Sequence, residues 1–157
     1  MNSFKSLKEY CKGLAENHLL LDGNFVHGGV SKLRADVLSK MNYPLMWLET
    51  PFIEINSSVS AVFTKKKSAI VILGQMNVLN ESEEQQDDKL DMLEGIALDI
   101  ITKLAKDGRD GIHKIDISEC DLDPIDPLLV DNCIGWRFEF SLTNPINMCF
   151  NPNNWKP

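Results

Sequence analysis

The 157-residue sequence lacks the segments that would send a protein to a membrane. It has no apolar run of about 18 residues, the length that a membrane-spanning helix needs. Charged side chains, including Lys5, Lys8 and Glu9, interrupt the N-terminal segment MNSFKSLKEYCKGLAENHLLLDG, so it does not have the pattern of a secretory signal peptide. The sequence therefore predicts a soluble protein that is made in the cytoplasm.

Positive charge is also scarce. Lysine and arginine number 16 against 23 aspartates and glutamates, which gives a formal net charge of -7. This balance disfavours proteins that hold nucleic acid or anionic lipid by charge attraction, although it is compatible with a protein that surrounds DNA without gripping it. The one cluster of cations, Lys65 to Lys67, is interpreted as solvated charge at an exposed turn rather than as a phosphate contact.

Common catalytic motifs are missing. The sequence has no G-x-S-x-G, no phosphate-binding G-x-x-x-x-G-K-[ST], no G-x-G-x-x-G and no H-E-x-x-H. His18 falls on or beside the apolar stripe of the first helix, a position more typical of a hydrogen-bonded core histidine than of a catalytic base. His27 precedes Gly28 and Gly29, which fits an active-site loop or any other turn. We therefore expect no enzymatic activity and no catalytic residue.

The cysteines and acids give little support for a metal site. Cysteines stand at 11, 120, 133 and 149, without a C-x-x-C pair. A zinc site built from Cys120, Cys133 and His113 is the alternative to buried, reduced thiols, and we favour the thiols. The acids between 116 and 131 lack the central glycine and terminal glutamate of a calcium loop. We expect no metal and no cofactor.

The clearest structural signal is the segment CIGWRFEFSL, residues 133–142. Its apolar residues Trp136, Phe138, Phe140 and Leu142 occupy every second position, which predicts a strand with one buried face. An amphipathic helix is predicted from Asp87 to Lys106, with its apolar stripe at Leu90, Leu93, Ile96, Ala97, Ile100, Ile101 and Leu104. We predict that the aromatic face packs against Leu93, Ala97, Ile100 and Leu104.

The rest of the chain supplies further elements. A first helix starts near Phe4 and ends before Asp22-Gly23-Asn24, and Ser31 is predicted to cap a short helix ending near Lys40. YPLMWLETPFIEI predicts an edge strand, or one interrupted after Glu49, because it contains Pro44 and Pro51. Residues 59–74 are predicted to form either two strands or one strand with a bulge or bend at the lysines. Residues 78–88 and the segment with Pro124 and Pro127 are predicted loops.

This order of helices and strands predicts an α+β fold with a largely antiparallel sheet packed by amphipathic helices. A single domain is expected over residues 1–145, followed by an irregular arm over 146–157. The end of the chain, NPINMCFNPNNWKP (residues 144–157), contains three prolines and five asparagines with no regular period. Its aromatic residues Phe150 and Trp155 are expected to dock on the domain or on a neighbouring molecule.

Three features together resemble a known family: YPLMWLETP, the acidic segment before the amphipathic helix, and the closing DNCIGWRFEFSL followed by a cysteine. They are similar to small head-tail joining proteins of tailed bacteriophages and prophages. Within these, the pattern most resembles the tail-terminator or tail-completion group, particularly the forms carried by phages of gut Bacteroidetes. The similarity runs from about Gly28 to Cys149. It is one of pattern and order, and the asparagine-rich tail has no secure match.

The resemblance implies a structural virion protein that forms a homo-oligomeric ring at the phage neck or tail top, between neighbouring neck or tail proteins. DNA would pass through the ring without sequence-specific binding. The family has no catalytic residues to transfer, and the matching positions are expected to serve the fold: Tyr43, Pro44, Trp47, Glu49, Gly135 and Trp136. A nonviral protein-binding or adaptor domain and an enzyme remain the alternatives.

Two sets of residues are predicted to act in such a ring. The tail residues Phe150, Asn151, Asn153 and Trp155 are expected in a subunit interface, because exposed aromatics rarely stay in water without a use. The acids Glu81, Glu83, Glu84, Asp87 and Asp88 are expected to face solvent or the DNA channel, where they repel phosphates.

Overall fold

The computed structural model describes residues 3–29, 40–57, 62–76, 80–118, 120–125, 132–146, 152–154 and 156. The described residues form helices α1 (Phe4–Asn17) and α2 (Glu83–Arg109) and a short 3-10 turn, Pro152–Asn154. The strands are β1 (Phe25–His27), β2 (Leu45–Leu48), β3 (Phe52–Ser57), β4 (Val62–Gln75), β5 (Ile115–Asp116), β6 (Leu122–Ile125) and β7 (Cys133–Pro145). Within the described ranges, neither helix has the length and apolar character that crossing a membrane demands.

The strands belong to one sheet with the order β1-β2-β4-β7-β5. β7 pairs with β4 along nearly its whole length, so β2 and β3 share the opposite side of β4, one after the other. β6 similarly lies beside β7 on the side of β5. Only β1 and β2 are parallel among the described pairs. The fold is α+β with a largely antiparallel sheet, as the sequence predicts.

The main core lies between the helices and one face of the sheet, here called the helix face. Phe138, Phe140 and Leu142 of β7 are buried there with the predicted α2 residues Leu93, Ala97, Ile100 and Leu104. Trp136 is half-buried beside them, and its Nε1 donates to the Leu90 carbonyl oxygen at 3.1 Å. The predicted pairing of the aromatic strand with the amphipathic helix is confirmed. α1 completes the layer with Leu7, Cys11 and Leu14.

A smaller apolar cluster lies on the other side of the sheet, the outer face. It joins Leu45, Trp47, Val71, Leu73 and Cys133, and the indole of Trp47 donates to the Gly28 carbonyl oxygen at 2.9 Å. Successive residues of a strand point to opposite faces, so the middle of β4 must be apolar at every position to serve both clusters. This explains why SAIVILG shows no alternation.

The helix α2 begins at Glu83, so the prediction of a loop through residue 88 is wrong. Ser82 is the N-cap: its hydroxyl accepts from the Gln85 backbone N–H, and the Gln85 side chain accepts from the Ser82 N–H. This reciprocal capping box satisfies donors that the first turn leaves unpaired. The first turns of α2 carry no apolar stripe, so the helical periodicity of apolar residues does not reveal them in the sequence.

The lysines at 65–67 lie inside β4 rather than at an exposed turn, which corrects that prediction. β4 is one strand, and its register with β7 runs through the lysines without a bulge. Lys66 is only 4% exposed on the helix face, and burial lowers its pKa. β2 and β3 do separate after Glu49, as one of the two sequence interpretations predicts.

The structure corrects two smaller predictions and does not test a third. α1 ends at Asn17, and of the following leucines only Leu21 is buried. Pro124 lies in β6 instead of a loop. The predicted short helix capped by Ser31 falls on residues 30–39, outside the described residues.

Candidate functional site

The most exposed apolar part of the sheet is the β3 arm, which we define as β3 together with residues 62–67 of β4. Phe52, Ile53 and Ile55 of β3 are 67%, 49% and 66% exposed. Ile53 lies opposite Lys66 and shares the helix face with it, whereas Phe52 lies opposite Lys67 on the outer face. Apolar side chains therefore reach solvent on both faces of this strand. No described segment covers them.

The backbone of β3 pairs with β4 along one edge, and its other edge has no partner strand in the part of the chain that the structure describes. Ile146 donates to the Val62 carbonyl oxygen at 3.1 Å, and Glu49 donates to that of Ala69 at 2.9 Å. In an antiparallel ladder the direction of the backbone groups alternates, so the odd-numbered residues of β4 point toward β2 and β3. Lys65 and Lys67 accordingly bond to Glu54 and Phe52.

It follows that the N–H and C=O groups of Ile53, Ile55 and Ser57 point away from the sheet. Among the described residues no strand pairs with this outer edge of β3.

The outer face beside the arm carries paired charges. Glu54 contacts Lys67 at 2.9 Å. Arg137 donates from Nε and Nη2 to the two carboxylate oxygens of Glu49, at 2.9 and 3.2 Å, and to Glu139 at 2.8 Å. The hydrogen bonds to Glu49 raise the pKa of Arg137 despite its partial burial. Each cation of this group has an acidic partner, so the face around Phe52 is close to neutral.

A groove of about 420 Å³ runs between α1 and α2. At its base Asp107 is 2% exposed and accepts from the Tyr10 hydroxyl at 2.8 Å and from Lys103 Nζ at 2.5 Å. The rings of Tyr10 and His113 pack in a T-shaped arrangement, with centroids 4.8 Å apart. Burial acts to raise the pKa of Asp107, but the bonds from Lys103 and Tyr10 outweigh it and lower the pKa.

The two carboxylate oxygens of Asp107 are each engaged, one by Tyr10 and one by Lys103. A carboxylate held in this way is a poor proton acceptor, and its bonds join α1 to α2. His18, at the other end of the groove, lies 3.5 Å from Asp99. His27 stacks on Phe4 and Phe25. We therefore interpret the hydrogen bonds of Asp107 at the base of the groove as structural contacts that hold α1 and α2 together.

The predicted channel acids do not form one loop. Glu83, Glu84, Asp87 and Asp88 are exposed in the first turns of α2. Glu81 precedes the helix, is half-buried and contacts Lys89 at 2.8 Å. That the acids line a DNA channel stays a prediction.

The predicted tail interface falls largely outside the described residues, which do not include Phe150, Asn151 and Trp155. Asn153 is exposed in the 3-10 turn. The interface role of these four residues stays a prediction.

The residues of the alternative zinc site are not brought together. Cys133 belongs to the outer-face cluster, whereas Cys120 packs against the core on the helix face. Across the described ranges, no three His, Cys, Asp or Glu side chains are placed to hold a metal ion.

Comparisons of the chain with protein-family models, with curated proteins and with solved structures find no match.

Sequence reasoning treats β3 only as a strand at an edge and misses its exposure. The signal is present in FIEINS, where Phe52 and Ile53 are apolar on opposite faces and Glu54 is the only charge. A strand that is covered on one face shows apolar residues at alternate positions only.

Proposed function

We propose that the protein is a structural subunit, without catalytic activity, that assembles with copies of itself through the β3 arm. The assembly is a ring at the neck or tail top of a tailed-phage virion, where it joins head and tail and surrounds the DNA path. The observation that carries the proposal is the apolar strand β3, which is exposed on both faces and whose outer backbone edge is paired by no strand of the described residues. The virion location rests on the resemblance of the sequence to tail-terminator proteins.

Physical reasoning supports an assembly role for this strand. An exposed, apolar edge strand is a template for pairing with another chain, and soluble proteins ordinarily blunt such edges with proline, lysine or bulges. Addition of a strand satisfies the free N–H and C=O groups and buries the neighbouring apolar side chains in one step. In a ring subunit the exposed strand is therefore an interface.

The charge of the chain supports the DNA path. The formal net charge is -7, and Glu83, Glu84, Asp87 and Asp88 project from the first turns of α2. Carboxylates on a channel wall repel phosphates and leave the DNA free to slide.

The proposal is tested by measuring the mass of the parent protein and of two variants with mass photometry and light scattering. The parent should form a closed oligomer, alone or with neighbouring neck proteins. The double variant Ile53→Lys with Ile55→Lys should be monomeric, because it places charge on the contact. The control is Leu98→Lys, which changes a leucine of α2 that is 48% exposed and should assemble like the parent.

A double variant that assembles like the parent would contradict the role of the arm. A parent that stays monomeric at every concentration would contradict the ring. It would favour the second candidate, a nonviral adaptor domain whose β3 edge takes up a strand of a different protein.

A further inference from the structure

We propose that the groove between α1 and α2 binds a linear aliphatic polyamine, with the methylene chain on its apolar middle and an ammonium group at each end. Such a site is separate from the β3 arm and does not depend on assembly through it. Three features of the groove carry this assignment. They are its length, a helical glycine that widens it, and the acceptors and negative charge of its walls.

The groove has a contact between the two helices at each end. Tyr10 of α1 donates to Asp107 of α2 at one end, and His18 lies 3.5 Å from Asp99 at the other. The helices are therefore antiparallel. The contacts are eight residues apart on each helix, from 10 to 18 and from 99 to 107, which corresponds to about 12 Å. The volume of about 420 Å³ lies within the roughly 300–1,000 Å³ of small-molecule sites.

The middle of the groove is apolar and is widened by a glycine. Leu14 and Ile100 line it, and both belong to the main core. Gly13 of α1 also lines it, and a Cβ built on this residue would meet no atom of the described residues within 4 Å. Glycine inside a helix is less stable than alanine, and here there is room for a side chain. Its presence leaves that room to a ligand that lies against the helix backbone.

The hydrogen bonds of the groove leave mainly acceptors for a ligand. Lys103 and the hydroxyl of Tyr10 both donate to Asp107, so these donors are already in use. Nδ2 of Asn17 donates to the Gly13 carbonyl oxygen at 2.7 Å, which leaves the Oδ1 atom of Asn17 as an acceptor. A ligand that fits these walls must therefore bring the donors.

The charges of the groove also favour a cation. Three carboxylates, Glu9, Asp99 and Asp107, line it together with one lysine, Lys103. Asp107 is paired with Lys103, so the charges of Glu9 and Asp99 remain, one toward each end. Glu9 has an exposed contact with Lys5 at 3.9 Å, and such surface pairs contribute little.

His18 does not cancel the charge of Asp99. Its Nδ1 accepts from the Leu20 backbone N–H at 3.3 Å, so the ring proton lies on Nε2, which faces Asp99. An imidazole with one proton is neutral, and it orients the carboxylate without neutralising it. The side chain of Asp99 is 75% exposed, so a cation can reach it.

These features select a flexible chain with a positive charge at each end. Its methylene groups contact Leu14 and Ile100, and its terminal nitrogens donate to Glu9 at one end and to Asp99 and Asn17 at the other. The nine bonds between the terminal nitrogens of spermidine span about 11 Å, at the roughly 1.2 Å per bond of an extended chain. That length matches the distance between the two helix contacts. Putrescine, with five such bonds, spans only about 6 Å.

The test is isothermal titration calorimetry of the full chain at physiological salt, with spermidine as the probe. Spermidine should bind at one site per chain. Putrescine and triethylene glycol should bind at least about tenfold more weakly, the loss expected when one charged hydrogen bond is missing. Putrescine reaches one end of the groove only, and triethylene glycol is a chain of similar length without charge.

Two variants locate the site. Gly13→Leu fills the middle of the groove and should abolish binding, whereas Gly95→Leu, at a helical glycine outside the groove, should bind like the parent. Asp99→Asn removes the charge at one end and should weaken binding about tenfold. Its control is Asp91→Asn, which changes an exposed acid of α2 outside the groove. Circular dichroism verifies that each variant keeps its helices.

Each contrary result overturns the assignment. If Asp91→Asn weakens binding as much as Asp99→Asn, or if folded Gly13→Leu binds like the parent, the acidic surface as a whole attracts the polyamine and the groove is not the site. Equal binding of spermidine and triethylene glycol would refute the ligand class. If spermidine does not bind, the groove is not a polyamine site. These results do not involve the mass of the assembly, so the proposed function is tested separately.

Discussion

The two halves of β4 belong to one continuous strand, yet they have opposite surroundings. In the C-terminal half, three residues are at most 1% exposed: Ile70, Val71 and Ile72. The helices cover one face of this half, and the smaller apolar cluster that contains Trp47 covers the outer face. Residues 62–67 pair with β3, whose apolar side chains reach solvent. The first set stabilises the fold, and we assign the second to contacts between molecules. A test of this division must change stability and assembly separately.

The two edges of the sheet differ in the same way. On the side of β7 the outer positions belong to short strands, and Pro124 removes a donor from one of them. On the side of β4, β3 offers six residues without an internal proline. A protein that had to avoid all strand pairing would protect both edges. Protection of one edge alone fits the contact that we propose for β3.

The largest expected effect is in the core half. Phe138 is fully buried against α2, and Phe138→Ala should lower the free energy of unfolding by about 3–5 kcal/mol, enough to unfold a marginal domain. Chemical denaturation of Phe138→Ala and of Ile55→Ala measures the contrast. The second variant should lose less than about 1 kcal/mol, because its side chain is already in water. Equal losses would contradict the division of β4.

The next largest expected loss of stability comes from a substitution at Gly135, where β7 lies very close to β4. A Cβ built on Gly135 would lie 1.8 Å from the Ile72 carbonyl oxygen, so Gly135→Ala must push the strands apart. We expect the free energy of unfolding to fall by about 3 kcal/mol, which is the upper end of the range for overpacked substitutions. Gly95→Ala in α2 is the control, since its Cβ meets nothing within 4 Å. It should gain up to about 1 kcal/mol. Thermal unfolding of both variants decides the point.

A smaller loss of stability is expected from a substitution in the contact between α1 and α2, which should leave assembly unchanged. Tyr10→Phe removes a donor from buried Asp107 and should cost about 1.5–3 kcal/mol at neutral pH. The pKa of Asp107 is lowered in the folded state, so its contribution is present above the unfolded value of about 3.9 and is lost as pH falls below that value. The difference between parent and variant should therefore shrink below about pH 4.

Because Tyr10 belongs to the contact between α1 and α2 and not to the β3 arm, folded Tyr10→Phe should assemble like the parent. Lys106→Gln, which changes an exposed pair with Asp110, is the control and should be nearly neutral. If Tyr10→Phe dissociated the assembly while remaining folded, stability and assembly would not be separable.

The smallest effect concerns the acids of α2. Glu83→Ser with Glu84→Ser removes charges from the first turn and should cost about 1 kcal/mol at low salt, through weaker interaction with the helix dipole. The loss should fade in 1 M salt, where the screening length is about 3 Å. Asp87→Ser with Asp88→Ser, further from the N-terminus, should cost less. Neither pair should change the oligomer mass.

The sequence predicts correctly those elements in which apolar residues recur with the period of a helix or a strand, because that period arises from packing against a neighbouring element. The aromatic strand and α2 are of this kind, because Phe138 and Leu93 occupy the faces that they bury. β1 is missed, since three residues are too short to show a period. The start of α2 is missed for a different reason: its capping box carries the signal, and its first turns touch no core.

The candidate site could be predicted less well than the fold. Exposure of β3 depends on which elements cover it, and this is a property of the tertiary arrangement. The hydrogen bond between Tyr10 and Asp107 joins residues that are 97 positions apart in the sequence. No local pattern marks either residue as the partner of the other.

The outer edge of β3 can be followed directly by amide hydrogen exchange over a series of protein concentrations. The N–H groups of Ile53, Ile55 and Ser57 should exchange rapidly in the dilute monomer and become protected as the oligomer forms. The N–H of Glu54, which points toward Lys65 of β4, is the internal control and should change much less. If the Ile53 and Ile55 amides still exchange rapidly when mass photometry finds the protein fully assembled, β3 is not the contact between the subunits.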